Sequence, residues 1–396
     1  MTEVLESADF LLSSATRRHA EYAKLRGMGP VNPIVLQSGD TGWLVTGFEE
    51  ARQALTDLRL HPRTATVGNR RSMSEDLRLG MNSHMLNVAP PDHTRLRKLV
   101  SAAFTRRRME QMRPRIQHIT DSLLDAIDGA DEVDFIEALA LPLPVRVLTE
   151  MFGIPAADVE DFHGWTEILT TSALPLDQLD SAAAEMLTYI RGLLERKRRE
   201  PQADLLSALV AVRDGDDRLT EHELTSMVFL LLTAGHETTV NLIGNALLGL
   251  LTHPGQLALL RADQDLLRGT VEEALRYESP VQVALRLSTE PLELGGVAIP
   301  AGATVLISLL AANRDPLRFD EPDQLRVTRR DNPQLGFGYG FHHCIGAPLA
   351  RLEGIVAIGS TLARFPHLRL AVPAQTLVWR PSVIMHGLVA LPVRLR

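Results

Sequence analysis

Hydrophobic and polar positions repeat with a helical period along most of this 396-residue chain. The longest run covers 221–252. A capping-box pattern, Thr220 with Glu223, precedes it, and His253-Pro254 follows its end. Because the middle of this run is rich in leucine, we expect the helix to be buried. The other predicted helices cover 47–57, 92–104, 109–128, 134–151, 155–171, 178–200, 202–212, 263–277 and 347–365.

Shorter apolar segments bounded by turn residues predict a minor β portion. Residues 34–37 and 43–46 flank Ser-Gly-Asp-Thr-Gly, a sequence typical of a hairpin turn. No repeat, low-complexity segment or linker divides the chain. The pattern predicts a mainly α fold with a minor β portion, and the absence of a linker allows a single domain over residues 1–396. The remaining predicted strands lie near 281–288, 292–299, 304–308, 368–371 and 386–393.

Composition and charge narrow the class of protein. The chain has 41 Lys and Arg against 49 Asp and Glu, a net charge of −8, whereas a nucleic-acid binder usually has a basic excess. Its one cysteine, Cys344, excludes an intrachain disulfide and a multi-cysteine metal site. No apolar run approaches the ~20 residues of a membrane span, and the acidic N-terminus does not resemble a signal peptide. We therefore expect a soluble, cytoplasmic protein without nucleic-acid or membrane partners.

The sequence around Cys344 is unusually rich in glycine, and Pro348 marks the start of the next predicted helix. A helix N-terminus favours the thiolate, which can act as a nucleophile or as a metal ligand. A lone cysteine is more often a buried structural residue. Burying one thiol does not, however, require a loop with this cost in backbone entropy. The glycines stand at positions 336, 338, 340 and 346.

The segment 337–346, Phe-Gly-Tyr-Gly-Phe-His-His-Cys-Ile-Gly, resembles the haem-binding signature of cytochrome P450 at every defined position. The resemblance implies that Cys344 is the axial thiolate of a haem b iron, a ligand that favours O–O cleavage. It also implies that His342 reaches a haem propionate and that Phe337 packs beneath the haem. Gly338 and Gly346 would let the loop lie close to the sulfur.

Residues 234–239, Ala-Gly-His-Glu-Thr-Thr, stand in the middle of the longest predicted helix. A glycine there costs about 1 kcal/mol relative to alanine, and a buried acid is costly without a purpose. Alone, the segment could equally be a satisfied polar patch. It resembles the oxygen-activation site of the same family. The resemblance implies that Glu237 is the acid of the proton path, that Thr238 holds dioxygen and its water, and that Ala234 and Gly235 line the distal groove.

Glu273 and Arg276 stand three residues apart on one predicted helix, a spacing most often found in surface ion pairs of little energetic value. The resemblance instead implies the Glu-x-x-Arg core pair of the family, which braces the haem loop. In the family an arginine from a later turn joins this pair. Gln324 stands at that position here, so we expect an amide contact in place of a three-way charge network.

His93 and Arg97 are four residues apart and share one helix face after a Pro-Pro pair. The resemblance implies that both donate to a haem propionate, and that Arg286 does the same. It places four further residues in segments that line the substrate pocket. Their apolar character favours a bulky, mostly apolar substrate. These pocket residues are Val283, Ala284, Ile384 and Met385.

Taken over the whole chain, the resemblance implies a triangular, monomeric P450 of the bacterial soluble type, close to actinobacterial enzymes that tailor macrolides and polyketides. Such an enzyme hydroxylates or epoxidises a secondary metabolite with O₂. Its electrons come from NAD(P)H through a ferredoxin reductase and a ferredoxin. A basic patch could dock that donor, but arginine runs are more simply solvated helix surface.

Three alternatives stay open at this point. A peroxide-driven member of the fold would typically lack the Glu237-Thr238 pair. A haem-binding sensor would not need that pair either, and changing Thr238 would leave its activity unchanged. A haem-free hydrolase would use Cys344 with His342 or His343 and would show no Soret absorption.

Overall fold

The computed structural model describes residues 6–62, 74–170, 175–212 and 217–396. Within them the fold is mainly helical with a minor β portion, as the pattern predicts. The α-helices are α1 (Ala15–Met28), α2 (Phe48–Thr56), α3 (Glu75–Asn82), α4 (Asp92–Ala103), α5 (Arg106–Gln111), α6 (Arg113–Ala126), α7 (Pro142–Phe152), α8 (Val159–Thr170), α9 (Leu176–Arg199), α10 (Leu205–Ala211), α11 (Glu221–Thr252), α12 (Pro254–Ala262), α13 (Leu267–Tyr277), α14 (Leu309–Ala312) and α15 (Ala347–Arg364). The strands are β1 (Glu6–Ser7), β2 (Val31–Val35), β3 (Thr41–Val45), β4 (Leu60–Pro62), β5 (Glu132–Asp134), β6 (Val283–Ser288), β7 (Leu292–Leu294), β8 (Val297–Ile299), β9 (Thr304–Ser308), β10 (Arg369–Leu370) and β11 (Pro392–Arg394).

The chain forms two compact units. The single domain over residues 1–396 stays a prediction. Unit 1 comprises Met1–His61, Thr120–Leu141 and Thr238–Arg396, and unit 2 comprises Pro62–Ile119 and Pro142–Glu237.

The main sheet has six strands in the order β1-β2-β3-β9-β6-β4. The predicted hairpin is present as β2 and β3, which pair antiparallel with Val31 opposite Val45. β9 then joins β3 in parallel and β6 antiparallel. The sheet packs against α2 through a buried apolar cluster that includes Phe48, Leu55, Val305 and Ile307. β6 therefore lies inside the sheet, between β9 and β4.

Helix α11 begins and ends where the sequence predicts. Glu223 N–H donates to Thr220 Oγ1 at 3.3 Å, and Thr220 N–H donates to Glu223 Oε2 at 2.8 Å, which completes the capping box. Met227 and Leu247 are fully buried. Among the described helices, none has both the length and the apolar character that crossing a bilayer requires.

Four of the described α-helices escaped the sequence analysis, and two of them have a clear physical reason. α1 buries Arg18 at a position where an apolar residue would complete the helical pattern beside Tyr22 and Leu25. α12 follows α11 directly because Pro254, interpreted as a stop, occupies the first turn of a new helix. α3 and α14 are the other two.

The predicted helix over 109–128 divides into α5 and α6 at Met112, and the strand predicted over 386–393 is shorter. Its end forms β11, which pairs with β5 and β10, and Leu388 pairs with Trp379 in an isolated bridge.

Candidate functional site

Cys344 lies two residues before the N-cap of α15, which is Gly346. Its backbone N–H donates to the Phe337 carbonyl oxygen at 2.9 Å, which closes the loop on itself. The side chain is exposed. The interpretation of Cys344 as a buried structural cysteine is therefore wrong, and the thiol is presented at the positive end of a helix.

Two of the loop glycines are required by the backbone. Gly338 and Gly340 have φ of 71° and 72°, in the left-handed region that favours glycine. A Cβ on Gly340 would also lie 2.5 Å from Thr56 Cγ2 on α2. These positions fix the path of the chain that leads to Cys344.

Phe337 is held from α15. The Arg351 guanidinium lies over the Phe337 ring, 4.5 Å from its centre. Arg351 in turn donates to the Glu272 carboxylate through Nε at 2.5 Å and Nη2 at 3.1 Å. Gln334 Nε2 donates to the same carboxylate at 3.1 Å. The two ends of the loop therefore share one anchor on α13.

Glu273 and Arg276 form a fully buried, two-pronged ion pair, with both N–H···O distances at 2.8 Å. The expected amide contact from Gln324 is wrong: only the Gln324 carbonyl oxygen takes part, accepting from Arg276 Nη2 at 2.9 Å. The third charge comes from Arg329, whose Nε donates to Glu273 Oε2 at 3.0 Å. The three-way charge network is therefore complete, with its second arginine five residues beyond Gln324.

Asn313 connects this network to the cysteine loop, and the sequence analysis missed it. Its carbonyl oxygen accepts from Arg276 Nη1 at 3.0 Å, and its Oδ1 accepts from Leu335 N–H at 2.7 Å. Its Nδ2 donates to Ser279 Oγ at 2.8 Å. The sequence offered a signal for Arg329, because three arginines stand close after Gln324, within 326–330. Asn313 carried no motif that could have identified it.

Arg286 lies on β6 and is only 6% exposed. Its Nη1 donates to the Leu285 carbonyl oxygen at 2.9 Å. Burial lowers its pKa to about 10, and in the described ranges no carboxylate is paired with it. A buried guanidinium in this state fits a carboxylate supplied by a ligand.

In unit 2, α4 places His93 and Arg97 on one face, as predicted. His93 is buried and Arg97 is half-buried. Burial lowers the pKa of His93, and the charge of Arg97 lowers it further. A neutral imidazole beside a guanidinium can donate to a carboxylate.

Helix α11 is mostly buried, but some residues near its middle are exposed or half-buried. Ala234 is exposed and Thr238 half-buried, whereas Glu237 is 8% exposed. A Cβ on Gly235 would lie 3.0 Å from Leu148 Cδ1 of α7. His236 Nδ1 donates to the Leu232 carbonyl oxygen at 3.2 Å, a hydrogen bond within α11 itself. Glu237 is thus the buried acid of this segment.

The predicted pocket residues of unit 1 come together. Val283 and Ala284 lie on β6, the former buried and the latter half-buried. Met385 pairs with Val281 in an isolated bridge, and the Ile384 carbonyl oxygen accepts from Gln282 N–H at 2.8 Å. The half-buried turn at 382–385 therefore lies directly beside the start of β6.

Glu353, on α15, is a further buried acid, and the sequence analysis missed it. Burial raises its pKa to about 8. In the part of the chain that the structure describes, Glu353 Oε2 has no hydrogen-bond partner. The folded protein therefore holds a proton that the unfolded chain releases above its ordinary pKa of 4.5.

The position of Glu353 gives a pH prediction. Stability should fall as pH rises from 4.5 to 8, by about 1.4 kcal/mol per pH unit from this group. Glu353→Gln should remove that contribution, so its unfolding free energy should exceed that of the wild type increasingly toward pH 8. Urea unfolding at pH 5.5 and 8 measures the difference. The exposed Glu290→Gln is the control, and equal pH slopes for wild type and Glu353→Gln would contradict the assignment.

Comparison with known proteins identifies the class. A family model described as Cytochrome P450 matches residues 165–373, and the chain belongs to this family. Cytochrome P450 107B1 of Saccharopolyspora erythraea is 49% identical over 389 residues, 96% of this chain and 95% of that protein. The 6-deoxyerythronolide B hydroxylase of the same organism is 46% identical, over 94% of this chain and 95% of that protein.

A solved structure gives the same result. The tirandamycin C-bound P450 monooxygenase TamI superposes with a TM-score of 0.87 at 45% identity, over 96% of this chain and 97% of that one. The protein is therefore a haem-iron monooxygenase that acts on a small molecule. The haem-free hydrolase is excluded by this membership.

Proposed function

We propose that this protein binds haem b through Cys344 and inserts oxygen into a bulky, mostly apolar secondary metabolite of the macrolide or polyketide kind. The observation that carries the proposal is the exposed Cys344 at the N-terminus of α15. When bound there, the haem supplies O₂ activation and transfer of one oxygen atom to the substrate. The residues of the chain would bind the haem, orient the substrate and move protons.

The cysteine loop holds the sulfur in the ligating form. The N-terminal end of α15 favours the thiolate, and the N–H of Cys344 is already committed to Phe337. Gly346 keeps a side chain away from the sulfur, since a Cβ there would lie 3.8 Å from Cys344 Sγ. The anchors on Glu272 and Glu273 fix the loop, so the ligand does not have to be organised when the haem binds.

We assign the haem carboxylates to the basic residues that the motifs single out. Arg286 is the strongest candidate, because its buried charge has no carboxylate partner among the described residues. His93 and Arg97 from α4 and His342 from the loop complete the assignment. Each is an N–H donor of the type that binds carboxylates.

Glu237 and Thr238 would deliver protons. The buried Glu237 carboxyl can take up and release a proton within α11. Thr238 Oγ1 can donate a hydrogen bond to dioxygen and accept one from water. Ala234 and Gly235 would leave room beside them, consistent with the exposure of Ala234.

The neighbouring threonines give a matched test. Thr238→Val should lower product formed per NADPH consumed by about tenfold and release hydrogen peroxide instead, since proton delivery contributes factors of this order or more. Thr239→Val, an equal change at a buried neighbour, should retain coupling. Both are measured as the ratio of product to NADPH. Unchanged coupling in Thr238→Val would contradict the assignment.

The substrate class follows from the pocket residues Val283, Ala284, Ile384 and Met385, which are apolar. It is consistent with the names of two relatives, a 6-deoxyerythronolide B hydroxylase and a tirandamycin C-bound monooxygenase. The compounds in these names, 6-deoxyerythronolide B and tirandamycin C, are the first probes. Each is titrated into the ferric protein, and binding is followed by the spin-state change of the haem. A compound that binds is then incubated with ¹⁸O₂, and one labelled oxygen atom in the product supports hydroxylation or epoxidation.

The electron donors we propose are a ferredoxin and its NAD(P)H-dependent reductase. The single exposed thiol, Cys344, must stay reduced to ligate iron, which supports a cytoplasmic site of action. We also propose that the protein works as a monomer. Turnover that requires both added proteins would support the proposed electron donors. A monomer mass by light scattering would support the monomeric state. Turnover with peroxide but none with the two added proteins would contradict the proposed electron donors.

A further inference from the structure

A buried ion cluster lies in unit 1, outside the residues assigned to the haem. At its centre is His386, which is fully buried. His386 Nε2 and Glu278 Oε2 are 2.6 Å apart, and the other ring nitrogen, Nδ1, is hydrogen-bonded to the Arg18 guanidinium. Trp379 stacks on the ring at 4.2 Å between centres and an angle of 5°. We call the group the His386 cluster; it consists of Arg18, His19, Glu278, Arg314 and His386.

The partners of His386 define where its proton is. Arginine has no acceptor, so Arg18 must donate and Nδ1 must accept. Nε2 therefore carries the proton and donates it to Glu278. Burial lowers the pKa of His386 to about 4, so the neutral ring persists at neutral pH. Trp379 covers one face of the ring and both ring nitrogens are hydrogen-bonded, so the orientation of the His386 side chain is fixed.

The remaining members hold Glu278 in its charged form. Arg314 Nη2 lies 2.8 Å from Glu278 Oε1, and His19 Nε2 lies 3.0 Å from the same oxygen. Burial acts to raise the pKa of Glu278, but His19 and Arg314 lower it well below its usual range.

The cluster contains the ligand types of a metal site, with His19, Glu278 and His386 donor atoms within 4.8 Å of one another. A cation there would have to displace the Nε2 proton of His386. It would also face the guanidinium groups of Arg18 and Arg314, both almost fully buried. The arrangement is therefore a hydrogen-bonded anchor and not a cation site.

The backbone of His386 continues directly into the turn at 382–385. Its N–H donates to the Pro280 carbonyl oxygen at 2.8 Å, and its carbonyl oxygen accepts from Asn245 Nδ2 of α11 at 2.9 Å. At the other end of the turn, Ser382 Oγ accepts from Met385 N–H at 3.0 Å. Ile384 and Met385 thus have little freedom so long as His386 stays in place.

We propose that His386 is a positioning residue for substrate selection: the His386 cluster fixes the turn at 382–385 and so sets how Ile384 and Met385 meet a bulky substrate. The inference rests on the proposed function only in assigning these two side chains to the pocket. It predicts that loosening the cluster alters the binding of large ligands and not of small ones.

Two variants each keep one half of the contacts of His386. His386→Asn offers an oxygen near the Nδ1 position to accept from Arg18, and His386→Gln offers an N–H near the Nε2 position to donate to Glu278. His367→Asn, at an exposed histidine, is the matched control. The holoenzymes are titrated spectroscopically with imidazole, too small to extend far from the haem, and with clotrimazole, a bulky apolar azole.

Both cluster variants should bind imidazole like the wild type and clotrimazole about tenfold more weakly. The ratio of the two dissociation constants comes from the same folded, haem-containing molecules, so partial unfolding leaves it unchanged. Trp379→Leu, which removes the stacked ring and leaves both nitrogen contacts of His386 in place, is the reserve variant if the histidine variants do not carry haem, and its ratio should rise less.

An unchanged ratio in the variants that carry haem, together with a normal wild-type response, overturns the inference. A wild-type protein that gives no azole spectrum, or no thiolate-type CO spectrum, contradicts the proposed function instead. Parallel loss of both affinities would show a general structural role and would also overturn the inference.

Discussion

Glu273→Gln should destabilise the protein by about 3–5 kcal/mol and lower the share of molecules that retain haem. The side chains of Glu273 and Arg276 are fully buried, and Arg329 is nearly so. Removing the single negative charge leaves two guanidinium groups without compensation in a dry interior, a far larger loss than that of a surface pair. The readouts are the urea-unfolding free energy and the ratio of Soret to protein absorbance.

The neighbouring Glu272 provides the control for this prediction. It pairs with Arg351 but is 24% exposed at its side chain. Glu272→Gln should therefore cost about 1 kcal/mol or less. Equal destabilisation by the two variants would contradict the view that the buried three-way network is the main brace of the cysteine loop.

Cys344→Ser should reduce monooxygenase turnover to background while the protein stays folded. The side chain is exposed, so the change removes little packing. It replaces a thiolate ligand with a hydroxyl that is a much weaker donor to iron. Product formation with an added ferredoxin system is the measurement.

His343→Asn is the control for the cysteine variant. His343 adjoins Cys344 in sequence but has no assigned part in binding haem. This variant should keep most of the wild-type turnover. Loss of activity in His343→Asn with retention in Cys344→Ser would reverse the roles assigned to the loop.

The sequence predicted the elements whose signals are local. α11 was bounded correctly because its capping box and following proline are read from adjacent residues. The hairpin of β2 and β3 followed from its turn residues. The cysteine loop was recognisable because its glycines, histidine and cysteine form one continuous motif.

What the sequence could not predict depends on residues distant in the chain. Arg18 made α1 look too polar to be buried, and its contact with His386, 368 residues away, helps to compensate its burial. Arg329 replaced the expected contact of Gln324 because the turn places its side chain against Glu273. Asn313 and Glu353 lie in segments that carry no recognisable motif, and their burial is evident only in the folded chain.

The central claim is that Cys344 ligates a haem iron as a thiolate, and one spectrum tests it most directly. The reduced protein is mixed with carbon monoxide, and the difference spectrum is recorded for wild type and Cys344→Ser. The account predicts a red-shifted Soret band in the wild type that is absent from the variant. A wild-type protein that holds haem but gives an unshifted band, or a band that persists in Cys344→Ser, would contradict it.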